Sequence, residues 1–154
     1  MFLDLNWDDC FQGRIYLRLF QNSQRGEQFL SLCSGERGPC YKGTCFYHSH
    51  NGFGKRIEGG DYECNNGSGG KAIIENLDRY ERQRCYVVKG LVAGINKNKS
   101  ASTLFTIYTE DLPGYIEDTG FGIVEEGLNV LKSAIKHSPI YDVLIEDCGI
   151  AGSI

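Results

Sequence analysis

Thiol and imidazole groups between residues 40 and 50 are the first side chains in this sequence that could carry chemistry. Cys40, Cys45, His48 and His50 offer two thiolates and two imidazoles, and both are ligands that zinc prefers. Their spacing is irregular and matches no closed zinc motif. Buried structural cysteine is therefore the favoured interpretation, and neither a metal nor another cofactor is predicted.

Phosphate and nucleic-acid binding are the next chemistries to weigh. Residues 67–70 read GSGG, but the lysine–serine ending and the helix of a P-loop do not follow, so a turn is predicted there. A net charge of −4 argues against a surface built to neutralise nucleic-acid phosphates, although scattered cations could still form a local patch. These cations are Lys55, Arg56, Lys89, Lys97 and Lys99.

The size of the chain fits one domain with a single core, since 154 residues need no disulfide or metal to fold. We expect the domain over residues 1–149, with 150–154 as a tail or the start of a linker. The seven cysteines form an odd set without a C-x-x-C pair, and no basic-then-apolar leader opens the chain. A reduced cytoplasmic or nuclear compartment is predicted, and no apolar run approaches the roughly 20 residues of a membrane span.

The elements that must position these groups are mostly short strands. Apolar alternation predicts a hairpin from residues 2–5 and 14–20, and further strands are predicted at 44–47, 72–74, 84–88, 91–95 and 104–108. Residues 48–60 are predicted as a long irregular excursion. This pattern indicates a mainly β protein, a closed barrel whose ends are capped by helices.

Two helices are predicted, one on each side of this β-rich region. Asn22 or Ser23 can cap the first, and Gly35 can end it. The second follows residues 121–124, with Glu125 and Glu126 at its positive end. Pro139 closes that helix, and residues 141–149 alternate into a last strand.

One glycine-rich stretch organises the chain, residues 58–71, EGGDYECNNGSGGK. Together with GRIYLRLF at 13–20, EQFLSLCSGERG at 27–38, YKGTCF at 41–46, FGIVEEGLNVL at 121–131 and VLIEDCG at 143–149, it resembles the cyclophilin family. The resemblance implies an eight-stranded antiparallel β-barrel capped by two α-helices. It also implies rotation about X-Pro peptide bonds, in which an arginine hydrogen-bonds the prolyl nitrogen.

The catalytic arginine is the position at which the sequence departs from that pattern. Where the family reads F-H-R, this chain reads Phe46-Tyr47-His48, and a neutral imidazole offers one donor instead of a charged fork. Losing a preorganised donor costs a factor of about 10²–10³ in rate. The link over residues 49–58, SHNGFGKRIE, is also longer than the family's by two residues. Arg56 is expected on this inserted loop, and so is not expected to replace the arginine.

The resemblance aligns further residues of this chain with positions of the family's peptide-binding groove. At most of these positions the residue, or its neighbour, differs from that of the family. The resemblance aligns Phe53 with a pocket phenylalanine, Phe105 with the floor phenylalanine, and Glu58 and Thr103 with glutamines. The remaining positions are Ile95 and Asn96, which match an Ala-Asn pair, and Asp118, which stands at a rim histidine. The only tryptophan is Trp7, far from the rim, so cyclosporin binding is expected to be weak or absent.

These observations lead to three functional hypotheses. The first is an inactive or strongly impaired cyclophilin-like domain that binds a protein or a proline-containing peptide, within a larger scaffold or regulatory protein. The second is a peptidyl-prolyl cis-trans isomerase of low activity. The third is an RNA-contacting domain that uses the lysines.

Overall fold

The computed structural model describes residues 1–78 and 84–152, and the strands in this part of the chain are short. The strands are β1 (Phe2–Trp7), β2 (Cys10–Leu19), β3 (His48–His50), β4 (Arg56–Gly59), β5 (Cys85–Tyr86), β6 (Leu91–Lys97), β7 (Ser100–Tyr108), β8 (Ile116–Glu117), β9 (Gly120–Glu126) and β10 (Leu144–Gly149). The helices are α1 (Gln24–Ser34), α2 (Leu128–Lys136) and a 3₁₀ turn (Ile140–Asp142). The predicted tail extends beyond the described residues at positions 153–154.

Eight of the strands form one curled antiparallel sheet in the order β10-β1-β2-β9-β6-β7-β4-β3, and β5 pairs with β8 separately. The prediction of a mainly β protein with two helices is confirmed, but the predicted closure is not. The sheet is a half-barrel, because its edge strands β10 and β3 are not paired with each other. Between these edges, the segment before β3 makes only an isolated bridge, Cys45 to Leu144, with backbone hydrogen bonds beside it.

Local sequence explains the elements that were predicted correctly. The β1–β2 hairpin turns at Asp8 and Asp9, both with positive φ, as aspartate tolerates in a tight turn. The Ser23 side chain accepts a hydrogen bond from the Gly26 N–H at the start of α1, and Gly35, with φ of 71°, ends that helix.

The core lies between the sheet and the helices, and an aromatic cluster occupies its centre. The Phe105 ring lies 5.3 Å from the Phe29 ring, 5.4 Å from Tyr41 and 6.1 Å from Phe46, measured between centroids. All four side chains are buried. Edge-to-face contacts of this kind add to the stabilisation that burial itself provides.

Several predicted elements are wrong in detail. Residues 44–47 and 72–74 form no strand, while the expected irregular stretch 48–60 contains β3 and β4. Glu125 and Glu126 lie at the end of β9 and not in α2, because Gly127, with φ of 95°, turns the chain before the helix begins. Neither helix in the described ranges has the length and apolar character that crossing a membrane requires.

Candidate functional site

A polar row crosses the outer face of β3, β4 and β7. Ile57 and Ile107 pair directly and are fully buried, so their neighbours along each strand point away from the core. His48 pairs with Glu58, and Glu58 pairs with Thr106, which brings the three side chains side by side. Of the predicted groove residues, His48 and Glu58 are therefore brought together, with the imidazole exposed and the carboxylate half-buried.

Thr106 completes this row but offers little surface. The residue is only 5% exposed, and its Oγ1 has no hydrogen-bond partner in the described part of the chain. A buried hydroxyl without a partner carries a desolvation cost, which is unusual in a well-packed strand. The row thus presents one imidazole, one carboxylate and a nearly covered threonine.

A second row on the same face is formed by His50, Arg56 and Tyr108, which pair across β3, β4 and β7. Arg56 was expected on the inserted loop, and that prediction is wrong: it is the first residue of β4. The register places Arg56 on the same face as His48 and Glu58, and its Nη1 donates to the Gly54 carbonyl oxygen at 3.2 Å. A guanidinium is therefore present on the face that carries His48 and Glu58.

Tyr108 joins this face to the small β5–β8 sheet. Its hydroxyl donates to Glu117 Oε1 at 2.7 Å. Burial, together with this carboxylate, raises the pKa of Tyr108 far above its usual value, so the hydroxyl stays protonated at neutral pH.

The loop between β3 and β4, residues 51–55, is held by one carboxylate. Glu110 Oε1 accepts the Gly54 N–H at 2.8 Å and the Lys55 N–H at 3.0 Å. The N–H of Thr109 also donates to the Lys55 carbonyl oxygen at 3.0 Å. These N–H donors lower the pKa of Glu110, so its carboxyl group, which we call the clamp on this loop, is ionised at neutral pH.

Beside this loop lies an exposed set of large apolar side chains, which we call the apolar rim. The Phe53 ring is 73% exposed and lies 6.0 Å from the Tyr115 ring in an edge-to-face arrangement. The loop thus carries Phe53 to the surface. The apolar rim consists of Phe53, Tyr86, Val88, Tyr115 and Ile116.

Backbone pairing joins the two short segments that carry the other residues of the rim. Tyr86 pairs with Ile116 between β5 and β8, and the Val87 N–H donates to the Tyr115 carbonyl oxygen at 3.0 Å. Large exposed apolar side chains on neighbouring segments are a common feature of binding sites.

The other predicted groove residues are spread over three places. Ile95 and Asn96 lie at the β6 end of the β6–β7 hairpin, where Asn96 Oδ1 accepts a hydrogen bond from Arg25. Asp118 is exposed and pairs with Arg84, with 3.1 Å between Oδ1 and Nε.

Thr103 and Phe105 both face the interior. The Thr103 hydroxyl donates to the Gly60 carbonyl oxygen at 2.8 Å, and Phe105 has no exposed surface. Strand alternation is the reason, because Phe105 shares the inward face of β7 with Ile107 and leaves the outward position to Thr106. The structure therefore does not place Phe105 on the surface that His48 and Glu58 share.

The glycine stretch, residues 58–71, forms a tight loop around Asp61. The Asp61 carboxylate is fully buried and accepts five backbone N–H groups, at distances of 2.9 to 3.2 Å. Burial by itself raises the pKa of Asp61, but these donors outweigh it and hold the pKa below its usual value. The donors belong to Glu63, Cys64, Asn66, Gly67 and Gly69. Sequence reasoning recognised the glycines but not the carboxylate that organises them.

The structure also locates the cysteines considered as zinc ligands and the lysines considered as a basic patch. Cys45 donates from its thiol to the Asn65 carbonyl oxygen, and Cys40 lies beside Cys148 instead. Across residues 1–78 and 84–152, no group of three or more metal-ligating side chains is placed to hold an ion. Lys97 is engaged by the carbonyl oxygens of the 67–69 turn, and Lys55 lies near Glu110.

Four further residues of this face escaped sequence reasoning: Thr106, Tyr108, Glu110 and Tyr115. The alternation of polar and apolar residues from Thr106 to Thr109 was the available signal, but Leu104 and Phe105 are both apolar and hide the register. The chain also matches a model of a known protein family. Residues 2–150 match the family model described as Cyclophilin type peptidyl-prolyl cis-trans isomerase/CLD.

Proposed function

The chain belongs to the cyclophilin family, as the resemblance predicted, and we propose that it is a peptide-binding member in which prolyl isomerisation is lost or strongly reduced. Its partner is a protein segment that contains proline. The observation that carries this proposal is the composition of the outer face of β3 and β4, where His48, at the position expected for the catalytic arginine, stands opposite Glu58 in the strand register.

The expected loss of catalysis follows from the chemistry of His48. The family's arginine stabilises the twisted X-Pro bond by donating to the prolyl nitrogen. A neutral imidazole has one N–H on a shorter side chain, and Glu58 directly opposite competes for it as an acceptor. Removing a preorganised donor from a transition state lowers the rate by a factor of about 10²–10³.

Retained binding is supported by the apolar rim. Phe53 and Tyr115 expose aromatic faces beside the polar row, and aromatic surfaces of this kind are what proline-rich segments dock against. The 51–55 loop that carries Phe53 is fixed by Glu110 in advance of binding. Less conformational freedom is therefore lost when a peptide is bound.

Arg56 favours a second candidate, an isomerase of low activity. Its guanidinium starts β4 on the same face as His48, although its Nη1 is engaged by the Gly54 carbonyl oxygen. If Arg56 turns toward a bound peptide, it supplies a charged donor from a neighbouring row. This candidate differs from the first because the unaltered chain catalyses exchange and replacing Arg56 removes that catalysis.

Proton–nitrogen NMR with a short proline-containing peptide separates these candidates, because it reports binding and cis–trans exchange in one sample. For the unaltered chain we expect shifts at Phe53, Glu58 and Tyr115 without accelerated exchange. His48→Arg is expected to accelerate exchange by roughly a hundredfold. Phe53→Ala is expected to weaken binding, whereas Tyr141→Ala, which removes another exposed aromatic ring, leaves it unchanged.

The outcomes are distinct. Accelerated exchange in the unaltered chain that Arg56→Gln abolishes supports the second candidate. A peptide that shifts no signal on this face contradicts the binding proposal, whatever the exchange rate.

A further inference from the structure

Three thiols meet on the side of the molecule where α1 packs against β10. Cys33 lies in α1, Cys40 in the loop after it, and Cys148 near the end of β10. The Cys40 and Cys148 sulfur atoms are 3.9 Å apart. Cys33 is buried, while Cys40 and Cys148 are both partly exposed. This thiol cluster takes no part in the peptide-binding proposal.

The three thiols differ in acidity, and their hydrogen bonds explain why. A hydrogen bond from the Cys33 thiol lowers the pKa of Cys148, and a second from Cys40 adds to this against the opposing effect of partial burial. Burial raises the pKa of Cys33 and, more modestly, that of Cys40. Lys42 adds a positive charge and Asp147 a negative one nearby. Cys148 is consequently the thiol of the cluster that ionises first, and the thiolate is the reactive form.

We propose that Cys40 and Cys148 form a reversible disulfide, and that this pair is an oxidation site for hydrogen peroxide. The Cys148 thiolate attacks one oxygen of the peroxide, the O–O bond breaks, and the leaving hydroxide takes up a proton to become water. The Cys40 sulfur then attacks the sulfur of the Cys148 sulfenic acid. The S–O bond breaks, and hydroxide leaves with the proton of Cys40 as a second water. The two thiols together lose two electrons, which the peroxide accepts.

Exposure and position in the chain select Cys40 over Cys33 as the second thiol. The Cys40 and Cys148 sulfur atoms must approach by about 1.9 Å to reach the bond length of about 2.0 Å. Cys40 lies in an irregular segment, and apart from Cys148 its sulfur has long contacts, 3.4 Å to the Lys42 nitrogen and 4.0 Å to the Cys33 carbonyl oxygen. Cys33, in contrast, is fixed in a buried helix.

Tryptic mapping tests this directly, because the three cysteines fall in three different peptides. Cys33 lies in residues 26–37, Cys40 in 38–42 and Cys148 in 137–154. The reduced chain is treated with limiting hydrogen peroxide, and the peptides are analysed without reduction. We expect the intact mass to fall by two hydrogen atoms, a linked peptide joining 38–42 to 137–154, and full reversal by dithiothreitol.

Variants keep the test decisive. In Cys40→Ser the Cys148 sulfenic acid persists and is trapped by dimedone, while a chain with both Cys10→Ser and Cys64→Ser, which removes two exposed thiols, forms the disulfide as before. Cys33→Ala slows the first step, because it removes a hydrogen bond to the Cys148 thiolate. The proposal is overturned if peptide 26–37 links to 137–154 instead, or if Cys10 and Cys64 are oxidised while no linked peptide forms.

Discussion

Replacement of Asp61 by asparagine should destabilise the protein strongly, although the change replaces a single oxygen by an amide nitrogen. The carboxylate accepts the N–H groups of Glu63 and Cys64 on Oδ1 and three more on Oδ2. Asparagine keeps one oxygen, and its NH₂ group faces donors that it cannot accept. At least two N–H groups of this partly buried loop then lose their acceptor.

The size of the effect follows from that count. A buried donor without a partner costs about 1–3 kcal/mol, so Asp61→Asn should cost about 2–6 kcal/mol of the free energy of unfolding. For comparison, the free energy of unfolding of a whole protein is about 5–15 kcal/mol. For a chain of this size each kcal/mol corresponds to about 2–4 °C in Tm, so a decrease of about 5–20 °C is expected.

The effect should also depend on pH. The pKa of Asp61 is lowered in the folded chain, so its stabilisation is complete above the unfolded pKa of about 4 and is lost as pH falls through the lower folded pKa. Asp61→Asn lacks this titration. The difference in unfolding free energy between the two chains should therefore be constant from about pH 5 to 8 and shrink below about pH 4.

Urea unfolding followed by the fluorescence of Trp7, the only tryptophan, measures this difference at each pH. Asp118→Asn is the matched control, because that carboxylate is exposed and its pairing with Arg84 should contribute less than about 1 kcal/mol. The reasoning is refuted if Asp61→Asn stays within about 0.5 kcal/mol of the unaltered chain at pH 7, or if the difference is undiminished at pH 3.

Three other changes test the outer face and its support. Glu110→Ala removes the clamp on the 51–55 loop, so amide exchange at residues 54–55 should accelerate about tenfold or more, and peptide binding should weaken. Thr106→Val removes a buried hydroxyl without a partner, so the unfolding free energy should be unchanged or higher by about 1 kcal/mol in urea titrations. Gly60→Ala places a Cβ 2.5 Å from a backbone oxygen at a φ of 99°, and should lower Tm more than Gly38→Ala, where φ is 102° but the space is open.

Each of these has a contradicting result. Protected amides at residues 54–55 in Glu110→Ala would mean that the loop is held elsewhere. A loss above about 1 kcal/mol in Thr106→Val would indicate a hydrogen bond that the hydroxyl makes. Equal melting temperatures for the two glycine variants would show that the close contact at Gly60 relaxes.

Local sequence was sufficient to predict the elements whose ends are set by single residues. The paired aspartates of the first turn, Ser23 and Gly35 each act within a few residues of the chain. Strands β3 and β4 were missed because they are only three and four residues long and contain histidine and glycine. Pairing of β4 with β7, and of β3 with β4, fixes them, and the β4–β7 pairing joins positions about 50 residues apart.

The candidate site depended on register, which sequence did not reveal. Phe105 was predicted on the groove floor because a phenylalanine stands at the matching place. Its neighbour Leu104 is also apolar, so either face of β7 could have been the buried one. Ile57 pairs directly with Ile107 and both are buried, so the face of β7 that carries Ile107 and Phe105 is the inward one. A shift of one residue exchanges the two faces of a strand.

The alternation along β4 has a consequence for how this domain can change over evolutionary time. Ile57 and Gly59 are buried, whereas Arg56 and Glu58 face outward, and the loop before them is fastened from outside by Glu110. The outward residues can change in charge without any repacking of the interior. The loop before them can change in length in the same way. Selection can thus act on the outer face and on folding through separate sets of residues.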